Sequence, residues 1–158
     1  FFRLIICHIL VKFPLDLLSS NSGLFSRVRG VGDATANGGN INVTARSIRL
    51  DKQGTISTET MLGNGGNITL NVRDILQLRN KSSITASAGT AGAVGNGGNI
   101  TINTPNGFIV GVPGENSDIT ANSFSDSGGK IDIKANGIFF LTPLSRQELE
   151  RERVSSTF

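Results

Sequence analysis

The 158-residue chain has one cysteine, one histidine, four prolines and no tryptophan or tyrosine. A single cysteine excludes an internal disulfide framework. The apolar residues near the N-terminus cannot span a membrane, because Lys12, Pro14 and Asp16 interrupt them. Residues 37–141 carry eight Lys and Arg against seven Asp and Glu, and no basic stripe with interleaved aromatic residues is present. This near-neutral composition argues against a nucleic-acid partner.

Glycine is abundant, with 20 residues, and it is arranged in a repeat. Collagen is excluded because the glycines do not fall on every third position. The words ANGGNINV, GNGGNITL and GNGGNITI begin at residues 36, 63 and 95, and a weaker copy, SGGKIDI, begins at residue 127. The glycine pairs of these words are 27, 32 and 31 residues apart. Periods of this size are typical of solenoids, propellers and repeat arrays.

Each period contains three short segments in which apolar and polar residues alternate. In the first period these are INVTA (41–45), SIRLD (47–51) and TISTE (55–59). Alternation at period two predicts strands with one buried face, and no helical periodicity is present between the glycine pairs. The inward residues predicted for the first and second segments are Ile41, Val43, Ile68, Leu70, Ile100, Ile102, Ile131 and Ile133, then Ile48, Leu50, Leu76, Leu78, Phe108, Val110, Phe139 and Leu141. Those predicted for the third segments are Ile56, Thr58, Ile84, Ala86, Ile119 and Ala121.

Three strands in a period near 30 residues fit one coil of a parallel β-helix. A propeller blade has four strands and a period of about 40 residues or more. The two-residue Asn-Gly or Asp-Gly loops that join hairpin strands are also missing between the segments. We therefore predict an all-β fold, a parallel β-helix of about three and a half coils, in which equivalent strands pair one coil apart.

The repeated NGGN word is interpreted as the corner of that coil. Glycine permits a sharp turn, with positive φ where a side chain would clash. The asparagines that precede the first strand should stack in a column whose amides bond to one another, until Lys130 interrupts it. The corner and ladder residues are Gly38, Gly39, Asn40, Gly65, Gly66, Asn67, Gly97, Gly98, Asn99, Gly128 and Gly129.

Four motifs in order resemble one known family. NGGNITI, ENSDITANSF, SGGKIDI and GIFFLTPLSRQELE are similar to filamentous-haemagglutinin-type exoproteins, including the S-layer-like and two-partner-secretion proteins of cyanobacteria. The resemblance runs from about residue 22 to residue 150. It implies a right-handed parallel β-helix, export through an outer-membrane secretion partner, and a secreted or cell-surface location. The N-terminal secretion domain of that family has no counterpart in this sequence, so the chain is interpreted as a fragment of the repetitive stalk.

The two ends depart from the repeat. Residues 1–21 form an apolar segment that matches no coil, residues 22–141 form the repeat domain, and residues 142–158 form a polar tail. Ser145 and Glu148 make a capping box that predicts a short helix in the tail. Uncovered strands at the two ends of a solenoid predict end-to-end self-association.

The residues that could carry chemistry have simpler explanations. Cys7 and His8 are too few for a zinc site, so no metal or cofactor is expected. Phe108, Phe139 and Phe140 could stack on sugars, but core filling is the expected role. The aspartates at 51, 74, 118 and 132 occupy non-equivalent positions in the coil, and Arg79 and Lys81 face no obvious acidic cluster. The sequence therefore predicts a structural and adhesive stalk without catalysis, whose partners could include surface glycans or other cells. The alternative is a carbohydrate-active, polysaccharide-lyase-like β-helix.

Overall fold

A computed structural model describes residues 6–11, 14–19, 22–28, 37–89, 95–124 and 127–143. Within these ranges the chain is all β, with no helix. The strands are β1 (Ile6–Val11), β2 (Leu15–Leu17), β3 (Gly23–Val28), β4 (Asn40–Leu50), β5 (Thr55–Thr60), β6 (Ile68–Leu78), β7 (Ser83–Ala88), β8 (Ile100–Val110), β9 (Asp118–Thr120) and β10 (Ile131–Phe139).

Two parallel sheets run along the molecule, and the chain passes from one to the other in each coil. The first sheet has the order β1-β4-β6-β8-β10, with β2 also paired to β4, and the second has the order β3-β5-β7-β9. Strands β4–β5, β6–β7 and β8–β9 form three successive coils, and β10 begins a fourth. The predicted parallel β-helix is confirmed, with no antiparallel pairing between the described strands.

Like residues stack because the strands pair in register. Ile41 pairs with Ile68, Ile68 with Ile100, and Ile100 with Ile131. In the second sheet Ile56 pairs with Ile84, and Ile84 with Ile119. Stacked β-branched side chains pack well on a pleated surface. The repetition of the sequence therefore reflects the repetition of one environment along the axis.

Each coil contains two strands rather than the predicted three. The first two segments of a period join into one strand of 11 residues, as in β4, β6 and β8. The linkers between these segments are only one to three residues long and contain no reversing turn. The chain absorbs them as bulges, and the pairing shifts register between Ala45 and Ser47 and between Asn71 and Ile75.

The core lies between the two sheets and matches the prediction for the first and third segments. Its members with no exposed surface include Ile41, Val43, Ile48, Leu50, Ile56, Ile68, Leu70, Leu76, Leu78, Ile84, Ile100, Ile102 and Ile109. Thr58 and Ala86 are fully buried, as predicted. Ile119, Ala121, Ile133 and Leu141 pack against this core from its open end.

The inward face of the second segment was predicted wrongly for Phe108, Val110 and Phe139 in the last two coils, whereas Leu141 packs against the core as predicted. Ile109, not Phe108 or Val110, pairs with Leu76 and is fully buried. Ile138, not Phe139, pairs with Ile109. The cause is the length of the bulge. Alternation inside a run such as FIV cannot set which residue faces inward, whereas the number of linker residues before it can.

The N-terminal segment was predicted to match no coil, but two of its strands pair with β4. Strand β1 aligns with the first half of β4 and places Cys7 opposite Ile41. Strand β2 aligns with the second half and places Leu15 opposite Ile48. Leu15, Leu17 and Leu24 pack against the core. The predicted boundary at residue 21 therefore does not coincide with the edge of the sheet. The coil formed by β1, β2 and β3 lacks the glycine pair by which the other coils were recognised.

The helix predicted from Ser145 lies outside the described residues.

Candidate functional site

The asparagines before the first strand form a ladder along the corner, with bonds that differ from those expected. The backbone N–H of Asn67 donates to Oδ1 of Asn40 over 2.8 Å, and that of Asn99 donates to Oδ1 of Asn67 over 2.9 Å. Each side chain therefore accepts from the backbone of the next coil instead of from the next amide group. Lys130 donates its own N–H to Asn99 over 2.8 Å, so it joins the column as a donor, although its side chain offers no acceptor.

A second hydrogen bond runs in the opposite direction at each step of this ladder. The N–H groups of Ile41, Ile68 and Ile100 donate to the carbonyls of Asn67, Asn99 and Lys130, each over 2.9 Å. Two bonds thus join each pair of coils at a position where the chain is leaving one sheet for the other. The asparagine side chains thus extend the hydrogen-bonded ladder at the N-terminal ends of β4, β6 and β8.

A parallel column of asparagines precedes the glycine pair and was not predicted. Asn64 donates its N–H to Oδ1 of Asn37 over 3.2 Å, and Asn96 donates to Oδ1 of Asn64 over 2.9 Å. The N–H groups of Gly38 and Gly65 donate to the carbonyls of Asn64 and Asn96, both over 2.8 Å. The signal was present in the sequence, because the repeated word has an asparagine at both ends.

The corner glycines are required by the close approach of neighbouring coils and not by positive φ. The described glycines with positive φ are Gly63, Gly89 and Gly114, none of which belongs to a corner pair. A Cβ on Gly65 would lie 2.5 Å from the backbone nitrogen of Gly98. A Cβ on Gly66 or Gly98 would overlap the carbonyl oxygen of the glycine one coil away, Gly39 or Gly66. The expected turn geometry was therefore wrong, while the expected clash is present.

The turns between the two sheets stack on the other side of the coil. Lys52 and Gln53 both have positive φ, as do Asn80 and Lys81 in the next coil. The N–H of Gln53 donates to the carbonyl of Asn80 over 2.9 Å, and that of Lys81 donates to the carbonyl of Glu115 over 2.8 Å. Hydrogen bonds between coils therefore hold these turns in a conformation that non-glycine residues seldom adopt.

Arg79 faces two carboxylates at these turns, contrary to the sequence prediction. Its Nη2 donates to Oε1 of Glu115 over 2.7 Å, and its Nε donates to Oε2 of the same residue over 3.2 Å. Asn80 donates its Nδ2 hydrogen to Oδ1 of Asp51 over 2.7 Å and its backbone N–H to Glu115 over 3.0 Å. The hydrogen bonds of the cluster join three coils across 29 to 36 positions of sequence, which alternation alone cannot reveal.

The charges of this cluster favour ionised carboxylates. The Arg79 hydrogen bonds lower the pKa of Glu115 below its ordinary value, and the Asn80 hydrogen bond lowers the pKa of Asp51. A general base that works near neutral pH needs a pKa raised towards the working pH. These two carboxylates are displaced in the opposite direction, which suits a structural clamp.

The four aspartates singled out in the sequence lie at four separate places. Asp51 is in a turn, and Asp118 begins β9. Asp74 lies at a bulge, where Arg46 approaches to 2.7 Å and Arg73 to 3.0 Å, and these bonds lower its pKa. Asp132 pairs with Lys130 on β10. The described residues contain no group of three His, Cys, Asp or Glu side chains that could hold a metal ion.

Two of the three phenylalanines expected to fill the core instead form a pair on the outside. Phe108 is 40% exposed and Phe139 48% exposed, and their ring centroids lie 5.8 Å apart at an interplanar angle of 48°. Phe140 is 68% exposed. Because the two paired rings are tilted, they present no common flat surface to a sugar ring. The core-filling prediction was wrong for these side chains.

A shallow groove of about 530 Å³ lies on the outer face of the second sheet. Phe25, Arg27, Gln53, Thr55, Glu59 and Lys81 line it. The Arg27 guanidinium lies 4.5 Å from the centre of the Phe25 ring and pairs with Glu59 over 2.9 Å. Arg27 thus covers one face of the Phe25 ring, the only aromatic ring among these lining residues. Hydroxyl, amide and ammonium groups of the groove remain for a polar ligand.

Comparisons with protein-family models, with curated proteins and with solved structures find no match to this chain. In the described part of the chain, no helix is long and apolar enough to cross a membrane. The stacked corner remains the most regular feature of the described residues, since it recurs from Asn40 to Lys130 and joins the coils that carry the glycine pair.

Proposed function

We propose that this chain is a stalk segment of a secreted, surface-displayed exoprotein of the filamentous-haemagglutinin type, which acts by display and adhesion without catalysis. The observation that carries the proposal is the continuous corner, in which asparagine side chains join each coil to the next from Asn40 to Lys130. A ladder of this kind has no preferred length, so the same word can build a rod of any number of coils. A rod holds an adhesive part away from the cell surface.

The electrostatics of the Arg79 cluster disfavour a role as general base for its two carboxylates. Lowered pKa values of Glu115 and Asp51 keep both carboxylates charged and make them weak proton acceptors. A polysaccharide lyase needs a base that removes a proton beside a carboxylate. The intact parent protein, incubated with acidic polysaccharides, should therefore release no unsaturated oligosaccharides, and their release would favour the lyase alternative.

An adhesive stalk also needs a target and a route to the surface. The proposed partners are the outer-membrane secretion partner of the parent protein and glycans or other cells at the distal end. Cells that display the parent protein should adhere to glycan-coated surfaces or to other cells, and deletion of the repeat region should shorten the reach of that adhesion. Equal adhesion with and without the repeats would contradict a stalk role.

Among the described strands β10 is the last of the first sheet, which supports end-to-end self-association. Ile131 and Ile138 continue columns whose inner members are fully buried, yet they are 39% and 46% exposed. A further coil, or β1 of a second copy, would cover them and pair with the free edge of β10. Unpaired edges with apolar rows favour such pairing.

Light scattering at rising concentration tests this association. The chain should form larger species, and Ile138→Asp should suppress them because a charge on an edge strand opposes pairing. Gln77→Glu places a similar charge on an inner strand and should leave association unchanged. A chain that stays monomeric throughout the range would contradict the proposed free ends.

A further inference from the structure

Five Asn-Gly dipeptides occur in this chain, at Asn37, Asn64, Asn96, Asn106 and Asn136. In such a dipeptide the amide nitrogen of glycine can attack the Cγ of asparagine, because glycine has no side chain to block the approach. The attack needs a free asparagine side chain and a glycine nitrogen that can lose its proton. The fold treats the five dipeptides differently.

In the corner, both reacting groups are held. Oδ1 of Asn64 accepts the N–H of Asn96 over 2.9 Å, and the N–H of Gly65 donates to the carbonyl of Asn96 over 2.8 Å. Asn37 and Gly38 are held by Asn64 in the same way. Ring closure at these positions requires that two hydrogen bonds between coils open first.

Asn106 is followed by a crowded glycine. A Cβ on Gly107 would overlap the carbonyl oxygen of Asp74 and lie 2.5 Å from Oγ1 of Thr104. Gly107 is buried between these groups. The backbone there has little room to rotate towards the geometry of a five-membered ring.

The side chain of Asn136 lacks the hydrogen bond that holds Asn64, although Gly137 pairs with Phe108 in the sheet. Asn136 is exposed and lies in the bulge of β10, where the pairing passes from Ala135 to Gly137 and skips it. No hydrogen bond joins its side chain to any described residue, and β10 pairs with β8 alone among the described strands. A bulged residue on an edge strand rotates with the least disturbance of its neighbours.

We propose that Asn136–Gly137 is a site of spontaneous deamidation in the folded protein, and that the corner protects the Asn-Gly words at Asn37 and Asn64. The Gly137 nitrogen loses its proton and forms a bond to Cγ of Asn136. The Cγ–Nδ2 bond breaks, and Nδ2 leaves as ammonia after it gains a proton. Water then opens the cyclic imide at either carbonyl, which gives aspartate or isoaspartate. Water is the only other reagent.

The modification changes β10, the last described strand of the first sheet. Both products add a carboxylate to β10, and isoaspartate also lengthens its backbone by one carbon atom. Charged or irregular edge strands resist the addition of another strand. Deamidation would therefore reduce end-to-end pairing as the protein ages, a consequence that rests on the proposed self-association, whereas the modification itself does not.

Peptide mapping by mass spectrometry tests the site. The full chain is incubated at mildly alkaline pH, folded or in urea, and then digested with trypsin, which places Asn136 in the peptide 135–146 and Asn64 in the peptide 53–73. In the folded chain, Asn136 should convert about tenfold or more faster than Asn64, as expected if two hydrogen bonds must open at the corner. In urea the two should convert at similar rates.

Equal rates at Asn136 and Asn64 in the folded chain would overturn the proposal, as would an Asn136 that stays intact while the unfolded chain converts. Asn136→Gln provides the matched control, since glutamine closes the corresponding ring far more slowly. This variant should leave the rate at Asn64 unchanged. If the folded wild type loses self-association on ageing and the variant does not, the consequence for the edge is also supported. If both the wild type and the variant lose self-association on ageing, deamidation does not control the edge, but the assignment of Asn136 as the deamidation site still stands.

Discussion

Replacing Gly98 by alanine would place a methyl group inside the backbone of the neighbouring coil. The new Cβ would overlap the carbonyl oxygen of Gly66 and lie 2.7 Å from its carbonyl carbon. Neither atom can rotate away, because both belong to the main chain. Overpacking of this kind costs about 1–3 kcal/mol. Separating the coils would also weaken one or two ladder bonds at Asn99, at roughly 0.5–1.5 kcal/mol each. The expected loss is therefore about 1.5–6 kcal/mol.

Gly114→Ala gives the matched control, because it isolates the effect of backbone conformation. Gly114 has φ of +77°, and a Cβ there would meet no atom within 4 Å. Left-handed conformation costs an alanine roughly 1–2 kcal/mol. Urea unfolding followed by far-ultraviolet circular dichroism, at a concentration where the chain does not associate, measures both losses. A loss at Gly98 no larger than that at Gly114 would refute the close-approach explanation of the corner.

Two further outcomes follow from the hydrogen bonds between coils. Asn67→Ala removes the acceptor of the Asn99 N–H and should lower the free energy of unfolding by about 0.5–1.5 kcal/mol, because water can reach the exposed group. Asn122→Ala should change it little, because the Asn122 side chain makes no hydrogen bond to the described residues. Equal losses in urea unfolding would argue against the ladder. Hydrogen bonds from Arg79 lower the pKa of Glu115 from its ordinary value of 4.5, so the ionised Glu115 stabilises the fold above that value and this stabilisation is lost as the pH falls through the lowered pKa. Glu115→Gln should therefore be less stable than wild type at neutral pH and match it at about pH 2. A constant difference in stability across this pH range would contradict the clamp.

The parts of the fold that the sequence predicts are those in which one coil repeats another. Ile41, Ile68, Ile100 and Ile131 follow four copies of one word, and the structure stacks them in that order. Because equivalent positions in successive coils have the same environment, they carry the same residue. Alternation therefore identified the strands, and the period identified how they pair.

The parts that the sequence does not predict depend on irregular linkers and on pairing across coils. The linker before Phe108 has three residues where the first coil has one, and the inward position moves to Ile109 as a result. Periodicity measured inside each segment contains no information on that shift. The contact between Arg79 and Glu115 spans 36 positions and follows from the stacking of two turns of unequal sequence. The N-terminal coil lacks the glycine word, and only its pairing with β4 reveals it.

The two sides of each coil meet the demand for hydrogen bonds between coils with different backbone conformations. At the corner, glycine allows the main chains to approach closely, and asparagine side chains supply the acceptors that the ending strands no longer provide. At the opposite turns, Lys52, Gln53, Asn80 and Lys81 take positive φ, and main-chain bonds join Gln53 to Asn80 and Lys81 to Glu115 in the next coil. The corner depends on residue identity and is therefore repeated almost letter for letter. The turns depend on main-chain hydrogen bonds and not on particular side chains, so their sequences can vary. The charged cluster at Glu115 lies at one of these variable turns.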